Sequence, residues 1–401
     1  MSSSLRFGVI SDVHVTHFGE GFDSFRRALS VMGKYAPELL VFPGDTVYML
    51  DGPGIPVCEK VYSENYDMVQ DAIREALPGV PAFFCMGNHE FPQGNPTPEL
   101  TAASREMYER KSGQTMCCHR VYGGYHFITA PVISWNMEDS PENEAYLMAE
   151  IDKALADDGE KPVFVVTHSA VHDTSFSIAG HEEHFSDNFR SFLTARPRVV
   201  YISGHFHTPV QDEGNIWQGG FTAVNCPVTG VGYIVNYHCE DDSFPTFGVS
   251  QGYLFDVSDG HVKITRLDFV TGREICAPWE FDAGKNEPYA EPRRERSETR
   301  SFAPGSVLTV KAEGDALLFT VPQRFTEGRY TVQFFDLAAE DILTGKTFTR
   351  RVPAEYWLTD MPETVLRRMP GLPAGKYRVS VRPVGSFGNV GAPLFAEAEI
   401  R

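Results

Sequence analysis

Side chains that can bind metal ions recur in five short motifs between residues 12 and 207 of this 401-residue chain. They supply carboxylate, amide and imidazole groups, which suit Mn, Fe, Co or Zn at a reactive site rather than a structural cysteine–zinc site. One such motif alone also fits a turn or a helix cap, whereas five in succession favour a shared metal site. The motifs are Asp12-Val13-His14, Gly44-Asp45, Gly87-Asn88-His89-Glu90, His168 and Gly204-His205-Phe206-His207.

Each motif directly follows an apolar run that is typical of a buried strand. The runs begin at Leu5, Leu39, Pro81, Pro162 and Val199. Uninterrupted apolar runs indicate strands that are covered on both faces, as in a sheet flanked by helices. An open α/β sheet holds its ligands at the carboxyl ends of its strands, so we expect the five motifs to meet at one edge.

Helical patterns separate these strands, at 23–34, 64–76, 99–111, 141–157 and 186–193. The clearest pattern follows Ser140, a capping residue, with Pro141 at the first helical position and apolar residues repeating every four positions thereafter. The alternation of strands and helices predicts an α/β layer fold for a catalytic domain over residues 1–282.

The chain changes character after residue 282. Residues 283–304 are charged and interrupted by prolines, which predicts a linker. Residues 305–401 alternate apolar and polar positions between Gly/Pro turns and predict a separate all-β sandwich domain. The segment around Tyr377 resembles the entry to the sixth strand of a fibronectin type III domain, with Tyr377 as its tyrosine corner.

As a set, the five motifs resemble the signature blocks of the calcineurin-like metallophosphoesterases, over about residues 5–270. The resemblance implies a four-layer α/β/β/α sandwich and two divalent or trivalent transition-metal ions, Mn, Fe or Zn, that Asp45 bridges. The implied ligands are Asp12, His14, Asp45 and His207 for one ion, and Asp45, Asn88, His168 and His205 for the other.

The resemblance also implies a reaction. Two neighbouring cations would hold a bridging hydroxide that exists near neutral pH and attacks the phosphorus in line. His89 would protonate the leaving oxygen or stabilise its growing charge, and Glu90 would orient His89. The expected activity is hydrolysis of a phosphomonoester or a phosphodiester. The motifs do not determine the leaving group or the identity of the metals.

Two alternatives remain open from the sequence. The run Gly44-Asp45-Thr46-Val47-Tyr48 also fits a block of the purple acid phosphatases, in which the tyrosine binds ferric iron. Those enzymes have glycine at the position of His14, so a packing or pocket role for Tyr48 is the better explanation. The second alternative is a non-catalytic binding scaffold on this fold, which the complete set of ligand positions disfavours.

Three further histidines, His172, His181 and His184, lie in a polar stretch after His168. Such a stretch is typical of a loop, where the imidazoles either contact substrate or lie at the surface. The sequence does not decide between these roles.

Composition narrows the range of partners. The formal net charge is −19, and residues 1–289 hold 19 Lys plus Arg against 40 Asp plus Glu. This balance would repel a polyanion, so we expect a small phosphate ester as substrate and no long nucleic acid. No apolar run approaches the about 20 residues of a membrane helix. The lack of a signal-peptide pattern and the odd count of 7 cysteines predict a cytoplasmic protein. The sequence does not indicate the oligomeric state.

Overall fold

The computed structural model describes the chain except for residues 1–2, 17–20, 49–58, 93–96, 134–136, 138–139, 176–184, 231–232, 236–242, 246–247, 296–299 and 329. The helices are α1 (Phe22–Gly33), α2 (Glu59–Ala76), α3 (Pro98–Ser112), α4 (Pro141–Asp157), α5 (Asp187–Thr194) and α6 (Pro292–Glu295). The strands up to residue 282 are β1 (Ser4–Val9), β2 (Leu39–Phe42), β3 (Ala82–Phe84), β4 (Cys118–Tyr122), β5 (Tyr125–Thr129), β6 (Val163–Val166), β7 (Val199–Ser203), β8 (Ile216–Gln218), β9 (Thr222–Asn225), β10 (Tyr233–Val235), β11 (Ser243–Pro245), β12 (Gln251–Ser258), β13 (His261–Asp268), β14 (Arg273–Glu274) and β15 (Trp279–Asp282). The later strands are β16 (Thr309–Glu313), β17 (Ala316–Pro322), β18 (Val332–Asp341), β19 (Thr347–Pro353), β20 (Thr364–Met369), β21 (Gly375–Gly385) and β22 (Leu394–Ile400).

Two mixed sheets build the first part of the chain. The first has the order β14-β13-β12-β1-β2-β3, with β15 also paired to β13. Its strands β1, β2 and β3 run parallel, so the motifs that follow them emerge at one edge. The second sheet has the order β4-β5-β6-β7-β9-β8, and β6 and β7, which precede His168 and His205, are also parallel.

Alternate side chains of each central strand enter two different cores. Leu39 and Val41 of β2 face the core between the two sheets, whereas Leu40 and Phe42 face the helices α1 to α3. Residues of α4 and α5 pack on the outer face of the second sheet in a further core. The layer order is therefore α/β/β/α, which confirms the predicted fold and explains the uninterrupted apolar runs.

The helix with the clearest sequence signal begins where it was predicted. Ser140 Oγ accepts the backbone N–H of Asn143 at 3.3 Å, and Pro141 occupies the first turn of α4. Leu147 and Ile151 are buried on its inner face. No helix among the described residues is both long and apolar enough to cross a membrane.

The chain forms two compact units. The first comprises Met1–Val210, Asn215–Ile234 and Pro245–Glu291, and the second comprises Gln211–Gly214, Val235–Phe244 and Pro292–Arg401. Within the second unit, the sheets β16-β17-β20 and β19-β18-β21-β22 share one apolar core. The second unit therefore contains the expected all-β sandwich, while its likeness to a fibronectin type III domain stays a prediction.

Tyr377 is fully buried in that sandwich, and its hydroxyl donates to the carbonyl oxygen of Pro373 at 2.6 Å. This bond ties the start of β21 to the segment that precedes it. A single hydrogen bond typically contributes about 0.5–1.5 kcal/mol to the free energy of unfolding.

We therefore expect Tyr377→Phe to lower the free energy of unfolding of the second unit by about 1 kcal/mol. Scanning calorimetry of the full chain measures this as a lower transition temperature for that unit. Tyr122→Phe, which removes a hydroxyl from the first unit, is the control. An unchanged transition in Tyr377→Phe would show that the hydroxyl contributes nothing.

Candidate metal centre

The turns that carry the motifs have an unusual backbone. The φ angle lies between 50° and 76° at Asp12, His14, Asp45, His205 and His207. Side-chain-bearing residues seldom adopt this left-handed region, and each instance costs on the order of 1–3 kcal/mol. The turns support one another, because the backbone N–H groups of Val13 and His14 both donate to the carbonyl of Asp45.

One cluster of side chains joins the turn after β1 to the turn after β7. Asp12 Oδ1 lies 3.2 Å from His207 Nε2, and His14 Nε2 lies 3.3 Å from the same nitrogen. The ligand atoms of these three residues all lie within 4.8 Å of one another. Two imidazole nitrogens and one carboxylate oxygen therefore converge on one small volume.

A second cluster lies around Asp45 and joins the two sheets. Its ligand atoms, from Asp45, His168 and His205, also lie within 4.8 Å of one another. His168 Nε2 is 3.1 Å from Asp45 Oδ2 and 3.0 Å from Asn88 Oδ1. Asp45 also forms a group with His14 and His89, so this carboxylate lies between the two clusters.

The orientation of the His168 ring shows that this second cluster suits a cation. Its Nδ1 lies 2.9 Å from the carbonyl oxygen of Pro43 and donates to it, so Nε2 is the nitrogen that faces the cluster. Nε2 lies 3.1 Å from Asp45 Oδ2 and 3.0 Å from Asn88 Oδ1. One imidazole nitrogen and two oxygens therefore converge on a place that holds one positive charge, either a proton on Nε2 or a metal ion, so these residues fit a metal ion.

The charges of the buried groups agree with this assignment. Burial and the neighbouring histidine charges lower the pKa of His14 to about 3, which leaves its imidazole neutral. Burial also lowers the pKa of His168, but the charges of Asp45 and Asp12 outweigh it and raise the value to about 9. Burial raises the pKa of Asp45, but His168 and His89 hold it well below its usual value. Anionic carboxylates and one neutral imidazole are therefore present near pH 7.

His89 lies beside these clusters with part of its ring accessible. Its backbone N–H donates to Asp45 Oδ1 at 2.8 Å, and its Nε2 lies 3.8 Å from Asp45 Oδ2. Its side chain is 16% exposed, so a molecule at the site can reach it. Burial lowers the pKa of His89 to about 4, against the opposing charge of Asp45.

Glu90 has a different role from the expected one. Its carboxylate accepts four backbone N–H groups, from Asp45 (3.0 Å), Thr46 (2.6 Å), Val47 (3.0 Å) and Gly87 (2.7 Å). The expectation that it orients the His89 imidazole was wrong, because both oxygens hold the turns after β2 and β3. A glutamate directly after His89 was the sequence signal available, but the sequence does not show that Glu90 is buried or which donors surround it.

The charge of Glu90 depends on its surroundings. Burial and the negative charge of Asp45 raise its pKa to about 8, and the N–H groups of Val47 and Gly87 oppose that rise. A cation bound by Asp45 would offset the carboxylate charge and lower the pKa of Glu90.

Gly87 is required by the close approach of these two turns. A Cβ at this position would meet Oδ1 and the backbone nitrogen of Asp45. A larger residue would therefore push the two ligand turns apart.

Other residues singled out by the sequence are placed as follows. The ring of Tyr48 packs against the rings of His14 and His89, at centroid distances of 5.9 and 4.5 Å. Nδ1 of His172 lies 3.4 Å from Asp173 Oδ2, and its Nε2 lies 3.2 Å from Asp187 Oδ1. His181 and His184 lie outside the described residues.

Comparison with solved structures finds several similar chains. The chain is similar to a dimetal phosphatase from Danio rerio, with 13% identity over 70% of this chain and 99% of that one, and a TM-score of 0.46. It is similar to a purple acid phosphatase from yellow lupin (Lupinus luteus) seeds, with 13% identity over 70% of this chain and 54% of that one, and a TM-score of 0.49. A Vps29 mutant from Entamoeba histolytica gives 15% identity over 69% of this chain and 100% of that one, with a TM-score of 0.32. No curated protein matches the chain.

The fold and the two side-chain clusters define a metallophosphoesterase. The sequence profile of the family described as calcineurin-like phosphoesterase matches residues 5–209, which is more than half of the chain. The chain belongs to this family and is a phosphoester hydrolase, and the family implies a dinuclear metal centre.

The position of Glu90 generates a prediction. In Glu90→Gln the amide nitrogen would replace one acceptor oxygen, which leaves buried N–H groups without an acceptor at about 1–3 kcal/mol each. We expect a lower unfolding temperature and fewer metal ions bound per chain, measured by calorimetry and by elemental analysis.

The control for Glu90→Gln is Glu38→Gln, because the exposed Glu38 accepts a single backbone N–H, from Arg6. Equal stability and equal metal content in the two variants would contradict the role of Glu90.

Proposed function

We propose that the site binds two transition-metal ions and hydrolyses a small phosphate ester. The observation that carries this proposal is the convergence of nitrogen and oxygen donors around Asp45. The buried Oδ2 of Asp45 and Oδ1 of Asn88 both face Nε2 of His168. Membership of a family that implies a dinuclear metal centre supports the same conclusion.

The proposed ligand sets follow the two clusters. The residues of the first are Asp12, His14, Asp45 and His207, and those of the second are Asp45, Asn88, His168 and His205. When bound, the two ions would supply a hydroxide nucleophile near neutral pH and positive charge for the phosphate oxygens. The oxygen and nitrogen ligands suit Mn, Fe or Zn.

The surrounding backbone prepares these side chains. The Pro43 carbonyl fixes the tautomer of His168, and the backbone N–H of His205 donates to both oxygens of Asp12, at 3.1 and 3.2 Å. Such supporting contacts fix ligand orientation before the cation arrives. The ligand side chains therefore lose their conformational entropy when the chain folds and not when the cation binds.

His89 is the residue that we assign to the leaving group. It is neutral at pH 7 because burial lowers its pKa to about 4. A neutral imidazole donates a hydrogen bond to the leaving oxygen rather than transferring a full proton to it. His89 therefore stabilises the charge that grows on this oxygen as its bond to phosphorus breaks.

Substitution of the shared carboxylate tests the proposal. Asp45→Asn removes the charge between the two clusters. Loss of a residue that only supports a metal ligand typically costs about 10- to 100-fold, so we expect a larger loss of kcat in Asp45→Asn. Asp256→Asn is the control, because Asp256 is a carboxylate in an ion pair with Arg6 away from the site. Steady-state kinetics and elemental analysis measure the effect, and near wild-type turnover in Asp45→Asn would refute the assignment.

A paired assay distinguishes the two substrate classes. The wild-type chain, loaded with Mn²⁺, is given p-nitrophenyl phosphate and bis-p-nitrophenyl phosphate. We expect turnover that EDTA abolishes and added Mn²⁺ restores, because the hydroxide depends on the cations. Faster diester cleavage defines a phosphodiesterase and faster monoester cleavage a phosphatase. Metal-loaded protein that cleaves neither ester would count against hydrolysis of small esters.

A further inference from the structure

Three aromatic rings form a cluster at the accessible side of the site. The rings of His14 and His89 lie edge to face, with centroids 4.5 Å apart and planes at 88°. The ring of Tyr48 lies 4.5 Å from that of His89, with planes at 61°. The rings of His14 and Tyr48 also pack against each other, with centroids 5.9 Å apart, so the His89 imidazole contacts both a candidate metal ligand and a tyrosine.

The backbone around Tyr48 is well fixed. Its N–H donates to the carbonyl of Val15 at 3.0 Å, and its own carbonyl lies 3.4 Å from Nδ2 of Asn65. The preceding residue, Val47, pairs with Val15 in an isolated bridge and donates its N–H to Glu90. The Tyr48 ring is thus attached to the same turn that presents Asp45.

From this arrangement we propose that Tyr48 is a positioning residue, whose ring holds the His89 imidazole in the orientation that reaches the leaving group. This inference rests on the proposed function. An imidazole on one side chain can rotate about two bonds, and contacts with two neighbouring rings restrict that rotation. Tyr48 then acts through His89 and not as a metal ligand.

The step that depends on this orientation is the departure of the leaving group. The bond between phosphorus and the leaving oxygen breaks, the electron pair stays on that oxygen, and the oxygen of the attacking hydroxide forms the new bond to phosphorus. A poor leaving group carries more charge in the transition state and needs the His89 hydrogen bond more than p-nitrophenolate does.

A double-mutant cycle with two leaving groups tests the inference. The variants are Tyr48→Leu, His89→Ala and the double variant, assayed on the phenyl and p-nitrophenyl esters of the phosphate class that the wild type cleaves. We expect Tyr48→Leu to lower kcat about 10- to 100-fold on the phenyl ester and much less on the p-nitrophenyl ester. In the His89→Ala background the same change should cause no further loss, because residues that act through one another are not additive.

Two more variants separate positioning from folding. Tyr48→Phe keeps the ring and should recover most of the kcat that Tyr48→Leu loses. Tyr35→Leu removes a partly buried tyrosine that packs against the core beneath α1 and controls for the loss of an aromatic side chain. Circular dichroism and elemental analysis compare the folding and the metal content of all variants.

Several results would overturn the inference. Losses that multiply in the double variant, or equal losses on both esters, would mean that Tyr48 acts independently of His89. A visible charge-transfer band that disappears in Tyr48→Phe would place the phenolate on a metal ion. If the wild type cleaves no ester, the proposed function fails as well. If the wild type cleaves the esters and Tyr48→Leu has the same kcat as the wild type, the role of Tyr48 is overturned while the proposed function stands.

Discussion

The candidate site depends on one buried carboxylate that holds two turns together. Glu90 accepts the backbone N–H groups of Asp45, Thr46, Val47 and Gly87, and it is 1% exposed. Without this acceptor four polar groups would be buried unpaired, a state that folded proteins avoid. The bonds keep Asp45 in its left-handed backbone conformation and keep Asn88 and His89 close to it. The central carboxylate of the site is therefore positioned by a residue that is not itself a candidate metal ligand.

The layered architecture explains why the site forms at this place. Parallel strands of both sheets end at the same edge, and the core between the sheets fixes their spacing. Asp45 follows a strand of the first sheet and His168 follows a strand of the second, and their side chains meet at 3.1 Å. Such contacts bring into one place donors that are 123 positions apart in the chain.

Buried negative charge at the site would favour a bound cation. Asp12 and Asp45 are buried together, and His168 carries a pKa of about 9 while it faces them. A proton on His168 offsets part of the negative charge, and a metal ion must displace that proton. The apparent metal affinity should therefore increase as the pH rises towards that pKa. In the proposed function, the positive charge of the ions would attract an anionic ester despite the acidic balance of the first 289 residues.

The sequence by itself determined the class of the protein, because metal-binding residues that end buried strands are a short-range pattern. Asp12, Asp45, Asn88 and His168 each follow an apolar run, and the run predicts both the strand and the edge at which it ends. The alternating fold and the all-β second unit were predictable for the same reason, since helical and strand periods are local. The metal-binding roles of these residues stay a prediction.

The tertiary structure alone decided the partners of each side chain. The expected contact of Glu90 with His89 was wrong because its four donors belong to turns that follow β2 and β3, and no local pattern shows how closely these turns approach. The contacts of Tyr48 were equally hidden, because they depend on the pairing of Val15 with Val47 across separate turns. The positions of the motifs after their strands predict which side chains reach the edge of the sheet. The packing of the turns decides which of these side chains contact one another.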